Sequence, residues 1–318
     1  MLLIVVFGTG AHGAERLRLA VQKTGTFAWE LDVLRERGLD KGAGLDLEVS
    51  EVASPEAAKI ALLGGSADII LSDWLWVSRQ RDLGRRLVFW PYSTALGALM
   101  VPAASPIRGL EDLKGKKIAV AGGPLDKSWL LLQALARQSG IDLARDATVI
   151  YGAPPLLYQK TLARETEATL NYWNFCVALE VRGFRRILGM DEVEKRLGAM
   201  GPAAMVGYVF DEDFAKAHAG ALGRFFNAAR KAKEILTNSR EEWQEIASRA
   251  GIASETELAL YRENYAGGIP RRPVAEEAAD ARILYRVLAK TAGPALVGRS
   301  QELDEDVFYQ NPGAPAER

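Results

Sequence analysis

Five of the seven tryptophans in this chain fall in four short stretches, each with polar side chains close by. Trp29 follows Lys23, Thr24 and Thr26. Trp74 and Trp76 follow Ser72 and Asp73, Trp129 follows Gly123 and Asp126, and Trp173 follows Asn171. Indole faces stack on planar heteroaromatic groups and attract cations, a desolvated contact contributing about 2 kcal/mol. Carboxylates beside them accept hydrogen bonds from such a ligand and repel an anion. Each residue also has a plainer role, since a tryptophan can fill a core and Asp73 or Asp126 can cap a helix. An aspartate in that capping position occupies the free N–H groups that would otherwise attract an anion. As a set these residues predict an aromatic-walled pocket for a small planar or cationic solute. Lys23 is the counterweight, able to meet an acidic group.

The rest of the sequence offers little catalytic chemistry. Histidine occurs twice, at His12 and His218, and Cys176 is the single cysteine. That count excludes an internal disulfide, a zinc site built on several histidines and a multi-cysteine metal site. No G-x-S-x-G elbow is present, and the Gly109-to-Lys116 stretch has the wrong spacing for a phosphate loop. Gly8, Gly10 and Gly13 satisfy G-x-G-x-x-G, but Leu17, Leu19 and Val21 then alternate with polar residues. That period of two is a strand, where a dinucleotide fingerprint needs a helix. Lys and Arg number 40 against 41 Asp and Glu, so the basic excess of a nucleic-acid-binding protein is missing. The expectation is a protein without enzyme activity, cofactor, metal or nucleic-acid partner. At the N-terminus, the apolar run 2–7 and the small-residue segment 11–14 read as a signal peptide over 1–14.

The four stretches sit where strands end. Segments 17–21, 45–52, 69–72, 87–92 and 98–102 read as strands, with helices at 27–37 and 55–63. The pattern repeats with strands at 117–121, 148–151, 168–171 and 186–188 and helices at 126–139, 155–163 and 172–182. Segment 203–210 runs back, and the tail 212–238, 240–250, 255–264 and 275–288 reads as helices. At 318 residues the chain exceeds one comfortable core. Strands alternating with helices give mostly parallel sheets, whose ligands lie beyond the strands' carboxyl ends.

Ser105 to Ala121, S-P-I-R-G-L-E-D-L-K-G-K-K-I-A-V-A, resembles the opening of the second lobe in periplasmic solute-binding proteins of ABC importers. Glu56 to Ile69 matches that family's A-x-x-x-L-x-x-G-x-x-D helix and strand. Glu167 to Asn174 stands where it has V-D-A-x-x-x-W-x-P, without the proline. The likeness covers roughly 15–290 and is nearest the sulfonate, taurine, nitrate and thiamine-precursor group. It implies an α/β, two-lobed type II periplasmic binding protein fold, with lobe one at 15–103 and 207–318 and lobe two at 104–206. The strands at 98–102 and 205–210 would cross between them. It also implies a periplasmic monomer that passes a small-molecule ligand to the membrane subunits of an ABC importer. Asp126-Lys127-Ser128 replaces the Ser/Thr run common in anion binders, so a thiamine-type pyrimidine leads and a sulfonate or taurine follows.

Overall fold

The structure, a computed structural model, describes residues 14–23, 25–252 and 254–310. The expected signal segment lies outside the described residues except for Ala14, and so does Thr24. The first half builds β1 (Glu15–Gln22), α1 (Phe27–Glu36), α2 (Leu39–Gly42), β2 (Leu45–Val52), α3 (Pro55–Leu63), β3 (Ile69–Ser72), α4 (Trp74–Asp82) and β4 (Leu87–Ser93). The middle builds β5 (Gly97–Pro102), β6 (Lys117–Ala121), α5 (Lys127–Gln138), α6 (Leu143–Asp146), β7 (Thr148–Gly152), α7 (Pro154–Leu162), β8 (Ala168–Tyr172), α8 (Trp173–Glu180), β9 (Phe184–Gly189) and α9 (Met190–Arg196). After β10 (Val206–Asp211) the chain is helical: α10 (Glu212–Ala217), α11 (Ala219–Asn238), α12 (Arg240–Ala250), α13 (Glu255–Gly267), α14 (Val274–Ala292) and α15 (Pro294–Val297).

Two five-stranded sheets result, ordered β2-β1-β3-β10-β4 and β7-β6-β8-β5-β9. This is the two-lobed α/β architecture expected, but each sheet is mixed. β10 runs antiparallel to β3 and β4, and β5 runs antiparallel to β8 and β9. Each of these two strands is the first after a crossing, inserted between strands of the lobe it enters. The chain therefore crosses at 94–96 and again at 197–205. The strand at 98–102 belongs to the second sheet, which corrects the expected boundary at 103. Gly97 begins that strand at φ +140°, where a side chain would collide with the Asn171 carbonyl.

Alternation along the strands explains the packing. In the first sheet Leu17, Leu19, Val21, Ile69, Val88, Tyr208 and Phe210 face one way, into a core with α1, α11, α12 and α13. Their neighbours Ala20, Ile70, Phe89 and Val209 face the other way. That second core continues unbroken through Trp74, Leu284 and Tyr285 to Ile118, Val120 and Trp129 of the second lobe. Helix α14 packs on α5, and α13 packs on α8. The tail beyond residue 207 is thus a buttress shared by both lobes, not part of lobe one alone. The helix expected over 212–238 is broken at His218, where the backbone leaves helical geometry (φ −119°) between α10 and α11. Helix α9 and helix α4 were not expected. Asp73 as a cap already implied α4. Among the described residues, no helix is long and apolar enough to cross a membrane.

Candidate functional site between the lobes

The residues that follow β3 and β6 carry Asp73 and Asp126, whose charges act on each other across the lobe boundary. From the first lobe, Asp73 caps α4, its Oδ1 accepting the Trp76 N–H at 2.8 Å. From the second, Asp126 caps α5, its Oδ1 accepting the N–H groups of Ser128 at 2.9 Å and Trp129 at 3.4 Å. The Tyr172 hydroxyl donates to the other Asp126 oxygen at 3.2 Å. Gly122, at φ +87°, makes room for this contact: a Cβ there would stand 3.1 Å from Asp126 Oδ2 and 3.3 Å from the Tyr172 hydroxyl. A Cβ on Gly123 would meet nothing within 4 Å.

Two lysines complete the cluster. The Lys127 ammonium lies 5.4 Å from the Tyr172 ring and that of Lys59 lies 5.5 Å from the Trp76 ring. Burial acts to raise the Asp73 carboxyl, but Lys59, Lys127 and Arg79 around it, with the cap hydrogen bond, hold it below the usual range. Burial pushes Asp126 up, and the charge of Asp73 across the boundary adds to the rise against Lys127 and its two cap bonds. Burial and the neighbouring Asp126 push the Tyr172 hydroxyl well up, so it remains a donor. Across the boundary the charge of Lys127 acts on Asp73 and that of Asp73 on Asp126.

Towards the crossing at 94–96 the boundary encloses a cavity of about 10 Å³, lined by Thr26, Glu30, Tyr92, Ser93, Ala95, Trp173, Lys233, Tyr265, Gly268 and Ile269. Glu30 is 1 % exposed and paired with Lys233. Sequence reading missed this pair because Glu30 and Lys233 are far apart in the chain and each looks like a solvated helix residue. The usable signal was a lone acid among Phe27, Leu31 and Leu34 on the apolar face of α1.

The expected residues divide into groups. Thr26 and Trp173 line the hinge-side cavity. Asp73 and Asp126 stand in the charged cluster, with Trp76 covered by Lys59. Ser72 is buried with an unbonded hydroxyl. Trp74 and Trp129 are fully buried, packed against Tyr285 and Tyr151. Trp29 meets Trp173, Trp243 and Tyr261 edge-on at 5.6–6.1 Å, an aromatic cluster that ties the lobes. Asn171 accepts from the Tyr172 N–H and donates to the Pro154 carbonyl. Lys23 is exposed and pairs with Glu51 at 3.7 Å.

His218 pairs with Glu15 at 2.8 Å, at the amino end of β1, away from the cleft. Cys176 is buried, its thiol pushed up to about 12 by burial, so it is no thiolate nucleophile. The acidic trio Glu36, Glu242 and Glu245 lies on α1 and α12, outside the cleft.

A family profile described as NMT1/THI5 like matches residues 33–242, two thirds of the chain. No curated protein matches by sequence. Among solved structures, the periplasmic aliphatic sulphonate binding protein SsuA from Escherichia coli superposes with a TM-score of 0.73 at 19% identity, over 96% of this chain and 95% of that one. The alkanesulfonate-binding protein SsuA from Xanthomonas axonopodis pv. citri, bound to MOPS, gives 0.69 at 19% identity, over 92% and 98%. A ligand-binding component of an ABC-type import system from Staphylococcus aureus, with zinc bound, gives 0.68 at 12% identity, over 93% and 96%. At these identities the likeness is one of fold.

Proposed function

The chain belongs to the NMT1/THI5-like family, and from that premise we propose that it is the periplasmic solute-binding protein of an ABC importer. It takes a small solute between its lobes and presents the closed form to the importer's membrane subunits. The observation that carries this reading is the convergence of Asp73 and Lys59 from one sheet with Asp126, Lys127 and Tyr172 from the other. A solute bound among these groups touches both lobes and favours a form in which they lie together.

The solute is planar and uncharged or cationic, a thiamine-type pyrimidine being the leading example. Support comes from the two capped helices. Asp73 and Asp126 consume first-turn N–H groups of α4 and α5, which removes two anion-binding helix ends. A sulfonate or taurine is the second reading. It is favoured by α1, whose amino end at Thr26 receives no side-chain cap and opens on the cavity, and by the structural likeness to SsuA.

A thermal-shift screen of heteroaromatics, amines, sulfonates and nitrate tests both readings. The expected result is stabilisation by heteroaromatics, weakened by Trp173→Ala and Asp73→Asn. Stabilisation by sulfonates alone, indifferent to both substitutions, selects the second reading. No stabilisation by any class contradicts solute binding.

A further inference from the structure

The hinge-side cavity holds a buried acceptor without a hydrogen-bond partner, close to the Tyr92 hydroxyl that feels the Glu30 charge. Glu30 Oε1 accepts hydrogen bonds from the Lys233 ammonium and the Tyr265 hydroxyl, both at 2.7 Å. Its other oxygen, Oε2, is buried and accepts none. An ionised oxygen stranded in a low-dielectric site is costly, and natural folds rarely keep one without a partner. Lys233 has three N–H groups. One meets Glu30 and another the Tyr92 carbonyl at 3.2 Å, with the ammonium 3.8 Å from the Tyr92 ring. Glu30 and Lys233 line the same space. Burial holds the Lys233 ammonium below its ordinary range against the pull of Glu30.

The cavity is also placed to sense closure. Thr26, Glu30 and Lys233 come from the first lobe, whereas Trp173 comes from the second and forms the opposite wall. At about 10 Å³ the closed cavity has room for one water. A larger group needs the Trp173 side of this space to widen.

We propose that Glu30 and Lys233 form the anchoring subsite of the cleft, and that it takes a neutral planar group with a donor beside an acceptor, of the carboxamide kind. The ligand N–H meets Glu30 Oε2 and its carbonyl meets the Lys233 ammonium. Opposite charges on the pair make the subsite neutral as a whole, so an anion there faces Glu30 and a cation faces Lys233. Trp173 closes over the plane of the group. This inference rests on the solute-binding reading and adds the chemistry that selects the solute.

Three probes that share a pyridine ring separate the possibilities: nicotinamide, nicotinate and pyridine-3-sulfonate, titrated by calorimetry. The expected order has nicotinamide at least tenfold tighter than either anion, a difference of about 1.4 kcal/mol. Glu30→Gln sets an N–H₂ where Oε2 stood and should erase that preference, moving the ratio towards nicotinate. A merely structural glutamate would lower stability without moving the ratio. If Glu30→Gln does not fold, the double variant Glu30→Gln with Lys233→Gln keeps a neutral hydrogen-bonded pair and should show the same loss of preference. Tightest binding of pyridine-3-sulfonate, unchanged by either variant, overturns the subsite and leaves solute binding standing. Failure of all three probes to bind also overturns the subsite, while the broad screen judges solute binding separately.

Discussion

Burial divides the tryptophans into two kinds. Trp74 and Trp129 are enclosed on all sides in the core that joins the lobes. Trp74→Ala is expected to cost about 3–5 kcal/mol by leaving a large cavity, read as a clear fall in chemical-denaturation midpoint. A loss below about 1 kcal/mol would mean that the ring faces the cleft after all, because surface substitutions rarely exceed that. Trp173 should behave differently, since its ring lines the hinge-side cavity and meets Trp29 and Tyr261 across the boundary. The caps give a smaller effect: Asp126→Ala should cost about 1 kcal/mol through the first turn of α5. An unchanged melting temperature would show the cap to be idle. Sequence made Asp73 and Asp126 legible because capping is local, fixed by an acid directly before a helical run that accepts N–H groups two or three residues on. It could not reveal Glu30 with Lys233, which α1 and α11 bring together only through tertiary packing.

At the scale of elements, the return crossing is the best-anchored feature of the molecule. Its backbone N–H groups are taken by three buried carboxylates: Ala203 by Glu194 at 3.0 Å, Ala204 by Glu277 at 2.7 Å, and Met200 and Gly201 by Asp280 at 2.8 and 3.2 Å. Arg272 pairs with Asp280 from the side. Burial, together with the neighbouring acids, pushes Glu194 well above its ordinary 4.5 and also raises Glu277. A carboxyl raised in the folded state binds its proton more tightly there than in the unfolded chain. Its contribution to stability is full below 4.5 and is lost as pH rises through the folded value. Glu194→Gln keeps the acceptor for Ala203 and removes the titration. Its melting temperature should gain on the parent's as pH rises from 5 to about 8. Parallel profiles would mean that Glu194 is ionised in the fold.

The strands were legible because each sheet sets alternate residues into different cores, as with Leu19 against Ala20. The insertion of β5 into the second sheet was not, because pairing partners 70 residues apart leave no local trace. Helix α4 was overlooked because Trp74-Leu75-Trp76-Val77 is apolar on every side, and such a run lacks a helical period.

On the scale of the whole molecule, the two sheets are joined by crossings at 94–96 and 197–205 and buttressed by α13 and α14. The first crossing is pinned where the Thr94 N–H meets the Gly268 carbonyl at 2.9 Å and the Trp173 N–H meets the Leu96 carbonyl at 3.2 Å. A hinge at these crossings lets the sheets part without breaking either ladder. About 10 Å³ is left at the hinge side. A solute therefore enters an open form that is wider than this one. Small-angle scattering of the protein, alone and then saturated with the most stabilising compound of the thermal-shift screen, measures that difference directly. The account predicts that the free protein scatters as a more extended particle than this structure, and that the compound brings its curve onto that of this structure. A free protein that already matches this structure, with a radius of gyration unmoved by saturating compound, would contradict it.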